Sequence, residues 1–293
     1  MKMQGTNFIP PCDLHTPVLF LIFNRPETTK LVFEEIKKAK PPRLYIAADG
    51  ARNDKQGETE KVTQVREYVM NNIDWKCEVK TLFRDNNLGC KYAVSGAIDW
   101  FFENEEMGII LEDDCLPSQS FFWFCEELLE RYMEDERIMM ISGTNKATKW
   151  NSHSYDYFYS YYGSIWGWAS WKRAWMHYDR DMNRWKDIRN TRVLKYLYDS
   201  IIVIANRIKI YENTYSGKID TWDYQWVFSR EINSGLSIVP SKNLISNIGF
   251  SSEATHTKNI VQYDNNIDKF EIDFPVKFNN LVVSDKDYDK VLL

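Results

Sequence analysis

No apolar run in the 293-residue chain approaches the roughly 18 residues that a membrane-spanning helix needs. The opening stretch MKMQGTNFIPPCDLHTP also lacks the apolar core of a secretory signal. Both absences point to a cytoplasmic protein. Cysteine is scarce: Cys12, Cys77, Cys90, Cys115 and Cys125 are odd in number, scattered and without a C-x-x-C pair. That pattern excludes a disulfide framework and a thiolate zinc site, and predicts reduced, mostly buried thiols. Two phosphate-binding signatures are missing as well: no G-x-G-x-x-G follows the first apolar run, and no G-x-x-x-x-G-K-[ST] occurs anywhere. Positive charge is in deficit, with 37 Lys and Arg against 42 Asp and Glu, so the chain is not built to bind nucleic acid through a basic surface. Internal repeats and low-complexity linkers are absent too.

What remains is a globular composition, 44% hydrophobic and 27% charged, with 11 Trp, 17 Tyr and 16 Phe. In the first half, short apolar runs alternate with segments of helical spacing. PVLFLIF (17–23) precedes a helix near 27–39, RLYIAADG (43–50) one near 58–72, and CEVKTLF (77–83) one near 90–103. MGIILEDD (107–114) leads into SQSFFWFCEELLERYM (118–133), and RIMMISGTN follows. Continuous apolar strands separated by helices predict an α/β fold, Rossmann-like, with a mostly parallel sheet covered on both faces. Ligands of such sheets bind beyond the carboxyl ends of the strands. Those ends carry Asn24 and Arg25, Asp49, the segment RDNNLG with Arg84 and Asn87, and the triplet Glu112, Asp113 and Asp114.

Three adjacent carboxylates can simply cap the next helix. At the end of an apolar strand, however, they favour a hard divalent cation, Mg²⁺ or Mn²⁺, which would relieve their repulsion and bridge a diphosphate. The second half is different in character. Eight of the eleven tryptophans lie from Trp150 onward, and between 171 and 209 ten Lys or Arg face four Asp. YYGSIWGWASW (161–171) reads either as core packing alone or, the favoured reading, as a loop that closes over donor and acceptor with Trp166, Gly167 and Trp168 at its centre, since indole faces stack on sugar rings and glycine allows close approach. The basic stretch reads either as a solvated face or as a contact for a phosphate-bearing, lipid-linked acceptor at a membrane surface.

The order of NRP, AADGAR, RDNNLGCKYAV, IILEDDCLPSQSFFWFCEELLERY and WDYQW resembles GT-A nucleotide-sugar glycosyltransferases, specifically the N-acetylglucosaminyltransferase I-like group, over roughly residues 16–256. The resemblance implies that Arg25 meets the diphosphate, Asp49 the nucleobase, Asp113 the ribose and Glu112 the transferred sugar. It makes Asp114 the metal ligand, and many GT-A enzymes add a C-terminal histidine, here His256. In the family's W-D-D-W element the first acid is the base that takes the acceptor proton, which falls on Asp223 beside Trp222. Tyr224 stands where the family has a second acid, so Asp220 is a rival. The implied protein is a metal-dependent, inverting transferase of bacterial type. It would take a hexose or N-acetylhexosamine from a nucleotide-diphosphate sugar, a UDP-sugar by preference, to a glycan or lipid-linked glycan. Residues 1–145 would form the donor half, 146–257 the acceptor and catalytic half of the same domain, and 258–293 a tail wrapped on the surface. Two alternatives stay open: a sugar nucleotidyltransferase, although NRPETT lacks that class's Gly-rich loop, and a non-catalytic nucleotide-sugar-binding protein.

Overall fold

The computed structural model describes residues 8–150, 154–249 and 267–292. Its elements run β1 (Val18–Ile22), α1 (Pro26–Ala39), β2 (Arg43–Ala48), α2 (Glu58–Asn71), β3 (Glu78–Phe83), α3 (Gly89–Asn104), β4 (Met107–Glu112), β5 (Cys115–Pro117), α4 (Ser120–Arg131) and β6 (Ile138–Ser142). They continue with β7 (Tyr157–Ser160), β8 (Trp168–Trp171), α5 (Lys172–Trp175), α6 (Asn183–Ile188), α7 (Leu194–Leu197), α8 (Ile201–Tyr215), α9 (Asp223–Ile232), β9 (Leu236–Pro240), β10 (Ile245–Asn247) and α10 (Lys286–Val291). Eight strands form one sheet in the order β3-β2-β1-β4-β8-β6-β9-β7, and β5 pairs with β10 in a separate ribbon.

The α/β class and the helix-flanked, mostly parallel sheet follow the sequence expectation. β1 pairs in parallel with β2 and β4, β2 with β3, and β6 with β9. The departures lie in the aromatic half: β8 runs antiparallel between β4 and β6, and β7 antiparallel to β9 at the edge. Period-two alternation explains why the first strands read as unbroken apolar runs. Val18, Phe20 and Ile22 enter one core, with Leu44, Ile46, Ala48, Ile109 and Leu111, beneath α1, α2 and α4. Leu19 and Leu21 point the other way, joining Tyr45, Ala47 and Ile110 against α3, α5 and α9. Both faces of β1, β2 and β4 are thus dry along most of their length, whereas the edge strand β3 has no fully buried residue.

A third, smaller core gathers Met182, Trp185, Leu194, Tyr198 and Tyr211 from α6 to α8 onto Phe228 of α9. Residues 267–292 do more than wrap the surface: Ile272 and Val276 are buried in the main core, and Tyr288 packs on Phe158. Backbone N–H groups at the start of α4 bond the Glu271 carboxylate, Gln119 at 3.2 Å and Ser120 at 2.7 Å. All five cysteines are free thiols, as expected, but only Cys115 and Cys125 are buried, and Cys12 is exposed. No helix among the described residues is long and apolar enough to cross a membrane.

Candidate functional site

The parallel strands end at one cavity of about 380 Å³. Its walls include Asn24, Arg25, Asp49, Arg84, Asn87, Glu112, Asp113, Asp114, Trp166 and Asp220. The structure brings these residues together at one edge of the sheet, because residues at the carboxyl ends of adjacent parallel strands converge.

The acid triplet is a turn held from both sides. β4 ends at Glu112, paired opposite Leu21 of β1, and Cys115 begins β5, which pairs with β10. The Ile248 N–H then bonds the Asp114 carbonyl at 2.8 Å. Arg25 immediately precedes Pro26, the first residue of α1, where a fixed φ suits a helix start. The Arg25 carbonyl accepts from the Thr29 N–H at 3.0 Å and its hydroxyl at 2.7 Å, so the backbone is pinned and the side chain is aimed. Its Nη1 bonds Asp114 Oδ2 and lies 3.6 Å from Asp113 Oδ1. Asp113 Oδ2 also accepts from the Phe23 N–H at 3.1 Å.

Electrostatically the turn is under-compensated, with three carboxylates against one guanidinium. Burial opposes the Arg25 charge, yet Asp113 and Asp114 outweigh it and hold the group above its ordinary value. Burial and then Asp114 push Asp113 up to about 7. Glu112 is raised well above the carboxylate range by burial first, then by Asp114, Asp113 and Asp223. Its Oε1 is a buried oxygen with no hydrogen-bond partner among the described residues. That orphaned acceptor beside an acidic turn is what a cation site needs.

A divalent cation that takes most of its ligands from water and a diphosphate requires only one or two carboxylates from the protein. Asp114 and Glu112 supply that donor set of hard oxygens, so the residues fit Mg²⁺ or Mn²⁺. No group of three or more His, Cys, Asp or Glu side chains arranged for metal binding occurs among the described residues, and His256 lies outside them.

Asp49 and Asp220 share a task that the sequence did not reveal. Helix α3 begins after Leu88, which offers no side-chain cap, so the first four N–H groups need partners from elsewhere. Asp49 accepts from Leu88 at 3.0 Å and Gly89 at 3.2 Å. Asp220 accepts from Cys90 at 3.2 Å and Lys91 at 3.1 Å. Two carboxylates from distant segments therefore close one helix terminus, where the dipole favours negative charge. Burial raises Asp49 above its usual range despite the N–H groups of Leu88, Gly50 and Gly89.

Asp223 is the first residue of α9 and lies outside the residues lining the cavity. Its field still reaches in, contributing to the raised pKa of Glu112 and of Cys90. Oδ1 is fixed by the Thr221 hydroxyl and, at 2.8 Å, by the Tyr224 N–H. Oδ2 makes no hydrogen bond among the described residues, leaving one oriented, uncommitted acceptor.

The aromatic expectations divide. Trp166 is half-buried and lines the cavity, with Lys146 Nζ 5.0 Å from its ring centre. Gly167 has φ +62, and a Cβ there would lie 2.5 Å from Ile245 Cδ1, so only glycine fits. Trp168 is not a loop residue: it opens β8, is fully buried, and stacks on Trp222 at 5.8 Å. Trp222 is 2% exposed. Both are core residues, because the antiparallel pairing of β8 turns the first indole inward onto α9.

Several wall residues were missed. Arg52, in AADGAR, pairs with Glu58 and sits 5.7 Å from the Phe23 ring centre. Asn24 Nδ2 bonds the same Glu58 at 2.7 Å. Asn247 and Gly249 arrive with β10, and nothing in their local sequence announces it. Asn87 bonds the Gly50 carbonyl at 2.8 Å. The Arg84 guanidinium makes no hydrogen bond or ion pair among the described residues, and burial lowers its pKa with Asp49 only partly opposing. It is a cation at the cavity wall with no carboxylate in ion-pair range among the described residues.

No protein-family model matches the chain, and no curated protein matches it. Solved structures do. HddC from Yersinia pseudotuberculosis is similar at 10% identity and a TM-score of 0.30, over 44% of this chain and 57% of its own. S. aureus TarS 1–349 is similar at 8% identity and a TM-score of 0.41, over 78% and 59%. This chain therefore spans less than two thirds of either protein's length. A UDP-glucose pyrophosphorylase is similar at 8% identity and a TM-score of 0.39, over 80% of this chain and 93% of its own. No reaction or substrate follows from likenesses of this size.

Proposed function

We propose that the chain is a metal-dependent, inverting glycosyltransferase that uses a nucleotide-diphosphate sugar, a UDP-sugar by preference, and a hydroxyl acceptor on a glycan or lipid-linked glycan. The carrying observation is the cavity at the strand ends, where a pinned Arg25, an unpaired Arg84 and an under-compensated acid turn face one volume. A diphosphate and a cation would together balance those charges. The ordered motifs that resemble the N-acetylglucosaminyltransferase I-like group support the same reading.

In this reading Asp114, with Glu112, holds Mg²⁺ or Mn²⁺, which supplies charge stabilisation to the departing diphosphate when bound. Arg25 exchanges its Asp114 partner for a phosphate oxygen, and Arg84 adds a second cation on the donor side. Asp223 is the base, since Oδ1 is tethered and Oδ2 is open to an acceptor hydroxyl. Asp220 is committed to the α3 terminus. A single carboxylate that removes the acceptor proton, opposite the leaving diphosphate, inverts the anomeric centre, and such a base contributes about 10²–10⁴-fold. A sugar nucleotidyltransferase would instead release pyrophosphate from a nucleoside triphosphate and a sugar phosphate.

Thermal unfolding with UDP, GDP, CDP or TDP, each with and without Mn²⁺, is the direct test. A diphosphate at 100 times its dissociation constant should stabilise by about 2.7 kcal/mol. Asp114→Asn should remove the metal-dependent part of the shift. If no diphosphate raises the midpoint even with metal, the donor-site reading is lost. Release of pyrophosphate from a triphosphate and a sugar phosphate would establish the nucleotidyltransferase instead.

A further inference from the structure

The helical segment from α6 to α8 carries a surface that the site does not use. Helix α8 is 15 residues long, yet only Tyr211 and Thr214 of its side chains are buried. Its first turns are apolar on the outside: Ile201 is 79% exposed, Ile202 71% and Ile208 41%, while Tyr196 just before them is 82% exposed. Ile201, Ala205 and Ile208 recur at i, i+4 and i+7, which places them on one helix face, with Ile202 beside it. Burying such side chains elsewhere would gain free energy, so a face of this kind implies an occupant.

The flanking charges identify its chemistry. Arg184, Lys186, Arg189, Arg192, Lys195 and Lys209 are all exposed on this segment, against exposed Asp187 and Asp199. The protein as a whole carries a formal charge of −5, so the positive excess is local. Arg189 spends part of its charge on Glu212 at 3.4 Å, and the others of the six have no ion pair among the described residues. A second copy of the chain is disfavoured, since a two-fold contact would set this positive rim against itself. An exposed apolar ridge with an aromatic at its end and a basic surround matches the interface of an anionic bilayer. There the isoleucines enter the acyl boundary, the tyrosine sits at headgroup depth, and the cations meet phosphate.

We infer that the α7–α8 face, with Ile201, Ile202 and Ile208 as its apolar ridge, docks the protein reversibly on an anionic lipid surface. The inference stands on charge and exposure and does not rest on the reaction assigned to the cavity. Co-sedimentation of the full chain tests it, using phosphatidylcholine vesicles with and without phosphatidylglycerol. The protein should pellet with the anionic vesicles and not with the neutral ones. Rising salt should release it, because the attraction acts within a Debye length of about 10 Å at 0.1 M. Ile201→Asp with Ile202→Asp should lower the partition about tenfold or more, with an unchanged melting temperature, since both side chains are already in water. Arg192→Glu with Lys195→Glu should lower it about tenfold through charge alone. Pelleting equal with neutral vesicles, no pelleting with anionic ones, or an Ile201→Asp, Ile202→Asp variant that pellets like the parent would overturn the inference. So would light scattering that shows a dimer which this variant dissolves.

Discussion

Replacing Asp220 separates the two roles that acids near α9 can play. The structure makes Asp220 a terminus cap, bonding the Cys90 and Lys91 N–H groups, and the proposed reading takes Asp223 as the base. Asp220→Ala strips an acceptor from two N–H groups at an exposed position, which water partly replaces, so the loss is that of an ordinary N-cap, about 1 kcal/mol. Removing the negative charge from the helix terminus adds about 0.3–1 kcal/mol. At about 2–4 °C per kcal/mol, the melting midpoint should fall by about 3–8 °C. Asp220→Asn keeps one acceptor oxygen and should fall by about half as much. Amide exchange should report faster opening at residues 88–91 in both variants. Transfer should persist in Asp220→Asn but fall about 10²–10⁴-fold in Asp223→Asn, whose melting should be near the parent's. If Asp220→Asn loses transfer while its melting and its α3 amides stay as in the parent, then Asp220 is the base and the division of labour is refuted.

Other expectations follow from the same geometry. Arg84→Gln should leave stability within about 0.5 kcal/mol, because the guanidinium has no hydrogen-bond or ion-pair partner among the described residues, and should weaken binding of a nucleotide diphosphate about tenfold in calorimetric titration. Trp168→Ala should cost about 3–5 kcal/mol in urea denaturation, since it empties the space between β8 and α9. Trp166→Ala, at the cavity wall, should instead raise the acceptor KM with a much smaller effect on melting. In Gly249→Ala the new Cβ would fall 2.2 Å from Asp114 Oδ2. The carboxylate must move, and the Mn²⁺-dependent part of the nucleotide thermal shift should disappear.

The legible and illegible parts of this fold divide along a physical line. β1, β2 and β4 are buried on both faces, so burial wrote itself into unbroken runs such as VLFLI and MGIILE, and the polar residues after them had to share one edge. β7 and β8 are four residues each, YFYS and WASW. Too short to show a period, they exist as strands because β4, β6 and β9 offer edges to pair with. The expectation of a closing loop around Trp168 failed for that reason. Asp49 was legible as a wall residue but not as a cap, since the helix it serves begins 40 residues later. Asp220 serves the same helix from 130 residues downstream. Exposure was equally hidden: Ile201, Ile202 and Ile208 look like core residues in a list of letters, and only their lack of cover among the described residues distinguishes them from Ile204 and Ile210, which pack on the third core.

The acidic turn also has an order of assembly. Its first strand, β4, finds its second neighbour only when β8 is in place, and its exit strand, β5, pairs with β10, whose residues arrive after Leu244. A chain ending near residue 145, where the composition changes, would expose the edge of β4 and leave three neighbouring carboxylates on an unclosed turn. The change in composition is therefore not a boundary between folding units, since β8 completes the sheet beside β4. A nascent chain carries most of the cavity wall well before the acid turn is closed, and the cavity is complete only when synthesis has passed the ribbon formed with β10.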